Sequence, residues 1–230
     1  MHLTIVMPTL DEAEGIAQPL ASALAEADEV LVVDGGSQDA TRERAAASGA
    51  RVLVGPAGRG CQLNLGARHA KGDVLLFLHA DTRLPAGAGE RVREAIRAGA
   101  VGGGFFLRFD SRRPVLRGFA RMIGLRTRLT RCPLGDQAHF VRRDVFEHLG
   151  GYRDWPILED IDFARRLARQ GRVALLSPPV LTSGRRYLAG GPFRTVARNW
   201  LILALYFVGV SPHRLQRLYP RHRRPEGAGP

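Results

Sequence analysis

The run LLFLHADT (residues 75–82) is apolar until it ends in a histidine and an aspartate two positions apart. Side-chain direction in an extended chain repeats every two residues, so His79 and Asp81 are expected to share one side. An imidazole and a carboxylate placed together can hold a divalent cation, Mg2+ or Mn2+, against a diphosphate. Such a cation offsets charge on a departing phosphate. Asp34 follows EVLVV and precedes Gly35 and Gly36. Its carboxylate can accept hydrogen bonds from a ribose or a base edge where the glycines let a ligand approach the backbone, or it can simply form the turn or cap the next helix. Further on, ILEDIDFA crowds Glu159, Asp160 and Asp162 into one helical turn. Crowded anions bind protons more tightly, and one of them beside a substrate hydroxyl can act as a general base; acids in a first turn are also favoured by the helix dipole alone. In GRGCQLNLGA, Arg59 offers a planar fork for phosphate or a solvated surface charge, with Gln62 and Asn64 beside it.

These groups need a scaffold that brings them together. LTIVMPTL, EVLVVDGG, ARVLVG and GDVLLFLHAD read as strands, and AEGIAQPLASALAEA, SQDATRERAAA, CQLNLGARHA and PAGAGERVREAIRAG read as the helices between and after them. That alternation predicts an α/β fold with a mostly parallel central sheet flanked by helices. The carboxyl ends of parallel strands line one edge, where ligands bind in open α/β sheets. Thr9 to Glu12, Asp34 to Ser37 and His79 to Asp81 are therefore expected to face a common crevice. From Val101 the pattern changes to a strand (GGGFFLRFD), a basic helix (VLRGFARMIGLRTRL), a strand running into a short helix (DQAHFVRRDVFEHLGG) and the helix ILEDIDFARRLARQG. In that last helix Leu158, Ile161, Phe163 and Leu167 are expected to be buried. RVALLSPP adds a strand.

The chain of 230 residues, 45% apolar, suits one domain. Its net charge of +12 is the unusual feature, with arginine concentrated in GRRY, FRTVAR and HRLQRLYPRHRR. Such a surface attracts anionic lipid, nucleic acid or phosphorylated substrates, although an arginine-favouring codon usage also raises the total. Aromatic content of 7% is low for stacking on single-stranded nucleic acid, and no nucleic-acid partner is expected. Neither GxGxxG nor GxxxxGK[ST] is present, which argues against a dinucleotide oxidoreductase and a P-loop enzyme. Cys61 and Cys132 are expected as free thiols. MHLTIVMPTL lacks the features of a secretory signal, so a cytoplasmic location is expected, or the inner face of the membrane. The uncharged stretch from Trp200 to Val210 is too short to span a bilayer. It reads either as a buried helix or as one lying in a membrane interface, with peripheral contact through the 194–217 segment. The basic tail after Tyr219 is expected to be disordered.

The ordered set PTLDE, VVDGGSQDAT, GRGCQLNLGA, LLFLHADT, GDQAHFVRR, ILEDIDFARRL and TSGRRY resembles the family 2 nucleotide-sugar glycosyltransferases of the GT-A fold, over nearly the whole chain to about Tyr219. More narrowly, HADT with GDQ and RRY resembles a bacterial subgroup labelled arsenosugar-biosynthesis- or selenium-domain-associated glycosyltransferases. The resemblance implies a nucleotide-sugar-binding half (1–100), an acceptor and catalytic half (101–190) and a C-terminal helical segment (191–219). It also implies that the donor is bound by Pro8, Thr9, Glu12, Asp34, Gly36, Arg59, Gln62, Asn64, His79, Ala80, Asp81, Arg185 and Arg186. By the same resemblance Asp136 and Gln137 contact the acceptor, a small molecule or a lipid. Asp81, with His79 where the family's first aspartate stands, holds a divalent cation. Asp160, paired with Glu159, is the expected base of an inverting single displacement. A nucleotidyltransferase of related fold and a non-catalytic basic RNA- or membrane-binding protein are the alternatives; PTLDEAEG lacks the glycine-rich basic loop that usually opens the former.

Overall fold

β-branched and aliphatic residues at the N-terminus form β1 (Leu3–Thr9), buried along nearly its whole length. In this computed structural model, which describes residues 1–219, helix and strand then alternate: α1 (Ala17–Glu26), β2 (Glu29–Asp34), α2 (Thr41–Ala47), β3 (Arg51–Val54), α3 (Arg59–His69), β4 (Val74–Phe77), β5 (Thr82–Arg83) and α4 (Ala88–Arg97). The second half comprises β6 (Gly102–Phe109), α5 (Pro114–Thr130), a 3-10 turn at Gly135–Gln137, β7 (His139–Arg142), α6 (Arg143–His148), α7 (Glu159–Leu167), β8 (Val173–Thr182), α8 (Arg185–Ala189), α9 (Pro192–Phe207) and α10 (Pro212–Leu215). The tail expected to be disordered, 220–230, lies outside the described residues.

The strands make one eight-stranded sheet in the order β3-β2-β1-β4-β7-β6-β8-β5. Its first four strands are parallel, with Thr9 opposite Asp34 and Val6 opposite Phe77. The tips of β1, β2 and β4 therefore share an edge, as the alternating pattern requires. β7 is antiparallel to β4 and to β6, while β6 and β8 are parallel and the short β5 closes antiparallel on β8. The amino half is thus the parallel sheet expected from βαβ units, and the carboxyl half is mixed. Successive residues of β1 and β4 feed opposite faces. Ile5, Met7 and Leu76 join Leu20, Val92 and Phe105 on one side, and Val6, Leu75 and Phe77 join Leu63, Phe146 and Phe163 on the other. Helix α3 lies directly on β1: a Cβ at Gly66 would fall 2.3 Å from Val6 Cγ1.

Three expectations change. β4 ends at Phe77, and the Thr82 N–H donates to the His79 carbonyl at 3.1 Å, so residues 79–82 form a turn. The period-two argument for His79 and Asp81 therefore does not apply. Leu158, at a left-handed φ of 67° immediately before α7, is only half-buried against Ile157 and Ile202, while Ile161, Phe163 and Leu167 are buried. Finally, α9 is not a buried helix: only Thr195 and Ile202 are enclosed. Among the described residues no helix is long and apolar enough to cross a membrane. Cys61 and Cys132 are free.

Candidate active site

Three segments distant in sequence meet at Gly135. A Cβ there would lie 3.0 Å from Asp160 Oδ2 and 3.1 Å from His79 Nε2, so the bare Cα lets the turn after β4 and the start of α7 close on the same point. The Gly135 N–H donates to Asp160 Oδ2 at 2.8 Å, and Asp160 Oδ1 accepts from the Ile161 N–H at 2.9 Å. Burial alone would raise the Asp160 carboxyl. Arg59, the Gly135 N–H, His139 and His79 overcome it and hold the group below the ordinary carboxylate range. Asp136 shows the opposite balance. Burial pushes it up to about 6 against the pull of Arg126, with Asp160 and Asp81 adding their repulsion, and its Oδ1 is enclosed without a hydrogen-bond partner. Asp136 thus lies within reach of the charges of both Asp160 and Asp81.

The loop that carries Asp136 is fixed from behind. Gln137 is fully buried. Its amide nitrogen donates to the Phe105 carbonyl at 2.8 Å, and its oxygen accepts from the Leu134 N–H at 2.9 Å, Thr127 Oγ1 at 3.0 Å and an Arg126 nitrogen at 3.1 Å. The expected acceptor contact by Gln137 is therefore corrected: its polar atoms tie the loop to β6 and α5. His139 Nε2 meets the Pro133 carbonyl at 2.7 Å, and its Nδ1 lies 3.4 Å from the Tyr152 hydroxyl. Burial first of all lowers its proton affinity, which favours the neutral ring.

Glu159 and Asp160, adjacent in sequence, part company in space. Glu159 is buried and ion-paired with the Arg59 Nε. Its neighbour Asp160 points about 100° further round α7. The contact that Glu159 makes is with Arg59. It holds Arg59, whose guanidinium is kept charged by Glu159 and Asp160 despite burial.

At the strand tips, side chains expected to meet a donor are spent on the scaffold. Asp34 is fully buried and accepts from the Gly36 and Ser37 N–H groups at 3.0 and 2.9 Å, from the Ser37 hydroxyl, and from Thr9 Oγ1 at 3.3 Å. Of its two readings, the turn former is the one with the contacts. Gly36, at φ 97°, presents open backbone at that turn. Gln62 donates to the Thr9 and Val33 carbonyls at 2.9 and 2.8 Å, bridging β1 and β2. Asn64 grips the backbone of Tyr152 through both its oxygen and its nitrogen. The Gln62 nitrogen and the Asn64 contacts to Tyr152 are thereby committed to the backbone. Pro8 is half-buried beside them.

The late basic segment crosses this edge. Thr82 and Thr182 hydroxyls meet at 2.9 Å, the Ser183 N–H donates to the Asp81 carbonyl at 3.1 Å, and Arg185 stands 3.7 Å from Glu12 Oε2. Asp81, on β4's turn, and Glu12, after β1, are thereby linked to the start of α8. The Arg186 side chain lies outside the described ones.

The profile of glycosyl transferase family 2 matches residues 4–150. The chain belongs to that family. The chain of S. aureus TarS covering residues 1–349 shares the fold with a TM-score of 0.58 and 16% identity, over 95% of this chain and 69% of that one. Glucosyl-3-phosphoglycerate synthase from Mycobacterium tuberculosis, in complex with Mn2+ and UDP-glucose, superposes with a TM-score of 0.53 and 24% identity, over 76% of this chain and 68% of that one. A longer TarS chain is covered over only 42% of its length. No curated protein matches the chain. None of these descriptions names the narrower arsenosugar-associated subgroup. Family 2 membership makes the protein a glycosyltransferase that uses nucleotide-sugar chemistry, and the nucleotidyltransferase and non-catalytic readings give way to it.

In this glycosyltransferase no three His, Cys, Asp or Glu side chains among the described residues form a metal cage. A cage is not needed for Mg2+ or Mn2+ at a diphosphate, where one or two carboxylates suffice and phosphate oxygens complete the shell. Asp81, with Asp136 near enough to feel its charge and an Asp136 oxygen left without a partner, fits that donor set. His79 lies on the Asp160 side of Gly135, and Ala80 is the buried link between His79 and Asp81. Sequence reading missed Arg126, His139 and Tyr152. The first falls inside a basic helix whose repeated arginines look alike, and the other two lie in apolar surroundings that read as core.

Proposed function

We propose that the protein moves a sugar from a nucleoside-diphosphate donor to an acceptor hydroxyl with inversion, Asp160 acting as base. The observation that carries this reading is the convergence of His79 and Asp160 on Gly135, with Asp81 and Asp136 in electrostatic reach. Residues 1–100 serve the donor: Gly36 and the turn built by Asp34 offer open backbone to the nucleoside, while Arg59 and Arg185 supply positive charge for phosphates. Residues 101–190 supply the acceptor side through Asp136 and the Gly135 turn. The acceptor oxygen forms a bond to the anomeric carbon as its proton passes to an Asp160 oxygen. The bond from that carbon to the diphosphate breaks, and its electron pair leaves on the phosphate oxygen. Asp81, with Asp136 and His79 close by, would hold a divalent cation, which when bound supplies charge stabilisation for that diphosphate. The Mn2+ reported with the Mycobacterium tuberculosis synthase supports the same choice here.

A second assignment of the base is favoured by one observation. Asp136, pushed up to about 6 and with an unpartnered oxygen, is closer than Asp160 to the proton affinity suited to base catalysis near neutral pH. A small soluble acceptor and a lipid-linked one both suit a hydroxyl delivered past Asp136. The lipid case goes with peripheral membrane contact through the 194–217 segment at the cytoplasmic face. The test is a thermal-shift panel of UDP-, GDP- and TDP-sugars with and without Mn2+, followed by transfer assays of Asp160→Asn. Stabilisation by one donor class, with turnover lost and donor binding kept in the variant, is the expected result. No response to any nucleotide would overturn the reading, and unchanged turnover would move the base role to Asp136.

A further inference from the structure

Helix α9 turns a largely apolar face outward. Phe193, Trp200, Leu201, Phe207 and Val208 are between 45 and 77% exposed, and Ala197 and Ala204 fill the outward positions between them. The spacing is that of one helical face running the whole 16-residue element, about 24 Å long. On the opposite side Thr195 and Ile202 are buried, Leu205 and Tyr206 pack into the same small cluster as Ile202, and Arg198 and Asn199 each enclose a polar side-chain atom. Apolar outward faces of this length do not persist in water without a partner.

The surroundings say what that partner is. No Asp or Glu occurs between residues 111 and 135 or between 163 and 219, whereas arginine recurs throughout both stretches. Exposed Arg194 and Arg214 bracket the stripe. Phe119 of α5 packs edge-on against Phe193 at the start of α9, with ring centroids 5.8 Å apart. On the α5–β6 side a groove of about 740 Å3 is lined by Arg108, Arg112, Arg117, Arg121 and Arg128, with Phe106 stacked under Arg128 at 5.0 Å. An apolar stripe beside an arginine-lined groove complements a surface that is anionic at its polar level and hydrocarbon beneath. A second copy of this chain would present the same positive charge to it.

We propose that α5, α9 and the groove between α5 and β6 form a docking face for an anionic phospholipid bilayer. The arginines of the groove engage headgroup phosphates, and Trp200, Leu201, Phe207 and Val208 lie in the interface without crossing it. The face reaches the catalytic edge through Tyr187 of α8, which packs on Phe109 and Phe119. It therefore deepens, and rests on, the lipid-acceptor form of the functional reading.

The test sediments the full chain with vesicles of phosphatidylcholine alone and of phosphatidylcholine mixed with phosphatidylglycerol. The Trp155→Phe variant leaves Trp200 as the sole tryptophan reporter. Expected are at least about tenfold stronger partition onto the anionic vesicles, a blue shift of Trp200 emission on binding, and a loss of at least about tenfold with Leu201→Glu. Arg117→Gln with Arg121→Gln should weaken binding and flatten its salt dependence. These positions are exposed, so thermal melts of the variants should match the parent. Absence of binding to anionic vesicles overturns the proposal, as does binding indifferent to Leu201→Glu. So does a solution dimer that Leu201→Glu dissociates while vesicles remain unbound. Sugar transfer without vesicle binding sinks this proposal alone; vesicle binding without any transfer sinks the functional reading alone.

Discussion

Asp136 and Asp160 are shifted in opposite directions by their surroundings, and that difference makes the base assignment measurable. Asp160 is kept ionised by Arg59 and the Gly135 N–H, so if it takes the acceptor proton, kcat/KM should stay level from neutral pH down to below the ordinary carboxylate value. If Asp136 is the base, activity should instead fall along an acid limb centred near about 6. A pH profile of the free enzyme decides between them. The same Asp136 shift has a consequence for stability. Its folded value lies above the unfolded value of 3.8, so the folded state holds the proton longer and stability contributed by Asp136 is present below that value and lost as pH rises through about 6. Asp136→Asn removes this loss. Relative to the parent, the variant should gain about 2 kcal/mol between pH 4 and pH 7, read from denaturant melts at both pH values. A constant difference across that window would show that Asp136 is solvated and ordinary.

Elements position the chemistry through a few backbone contacts. A methyl group at Gly135 would press on Asp160 Oδ2 at 3.0 Å and His79 Nε2 at 3.1 Å. Gly135→Ala should therefore cost about tenfold to a hundredfold in kcat, since displacements below 1 Å at a reacting centre act on that scale, while Tm barely moves. Gln137→Ala should do the reverse. It strips the partners from Phe105, Leu134 and Thr127 together, which costs about 3 kcal/mol, or roughly 6 to 12 °C in Tm. That contrast also marks the limit of what the residues reveal before folding. β1, β2 and β4 and their shared edge are legible because apolar period and glycine punctuation are local properties, and so is the acidic start of α7. Whether Gln62, Asn64 or Gln137 faces a ligand or a backbone carbonyl depends on which strand arrives beside it, and no local pattern encodes that. Asp34 illustrates the ambiguity: an aspartate before two glycines suits a nucleoside and a turn equally, and closure against Thr9 and Ser37 commits it to the turn. α9 is ambiguous in the same way. Its uncharged run suits a core and a membrane interface equally, and in the fold Ile202 turns inward together with the polar Thr195, while Trp200, Leu201 and Phe207 stay outside.

On the scale of the molecule, the sheet joins a parallel half to a mixed half, and the segment after β8 returns across the edge where both contribute. That return is held at β5–β8, at the Asp81 carbonyl and by the Arg185–Glu12 pair. The pair is exposed, and pairs of that kind contribute at most about 1 kcal/mol. Arg185→Ala should accordingly leave the Tm of the ligand-free protein within about 4 °C of the parent. Donor binding is a different matter, because a nucleoside diphosphate on this edge would touch the β1 and β2 tips, Asp81 and α8 at once. A donor at a hundred times its dissociation constant adds about 2.7 kcal/mol to stability, which corresponds to a rise of roughly 5 to 10 °C. Arg185→Ala should weaken donor affinity about tenfold, the worth of one charge-assisted contact to phosphate, and shrink the rise at fixed donor concentration accordingly. Calorimetric titration of the best donor from the thermal-shift panel measures this directly. An Arg185→Ala protein that binds that donor as tightly as the parent would show that the returning segment is a structural strap on the sheet edge and takes no part in holding phosphate.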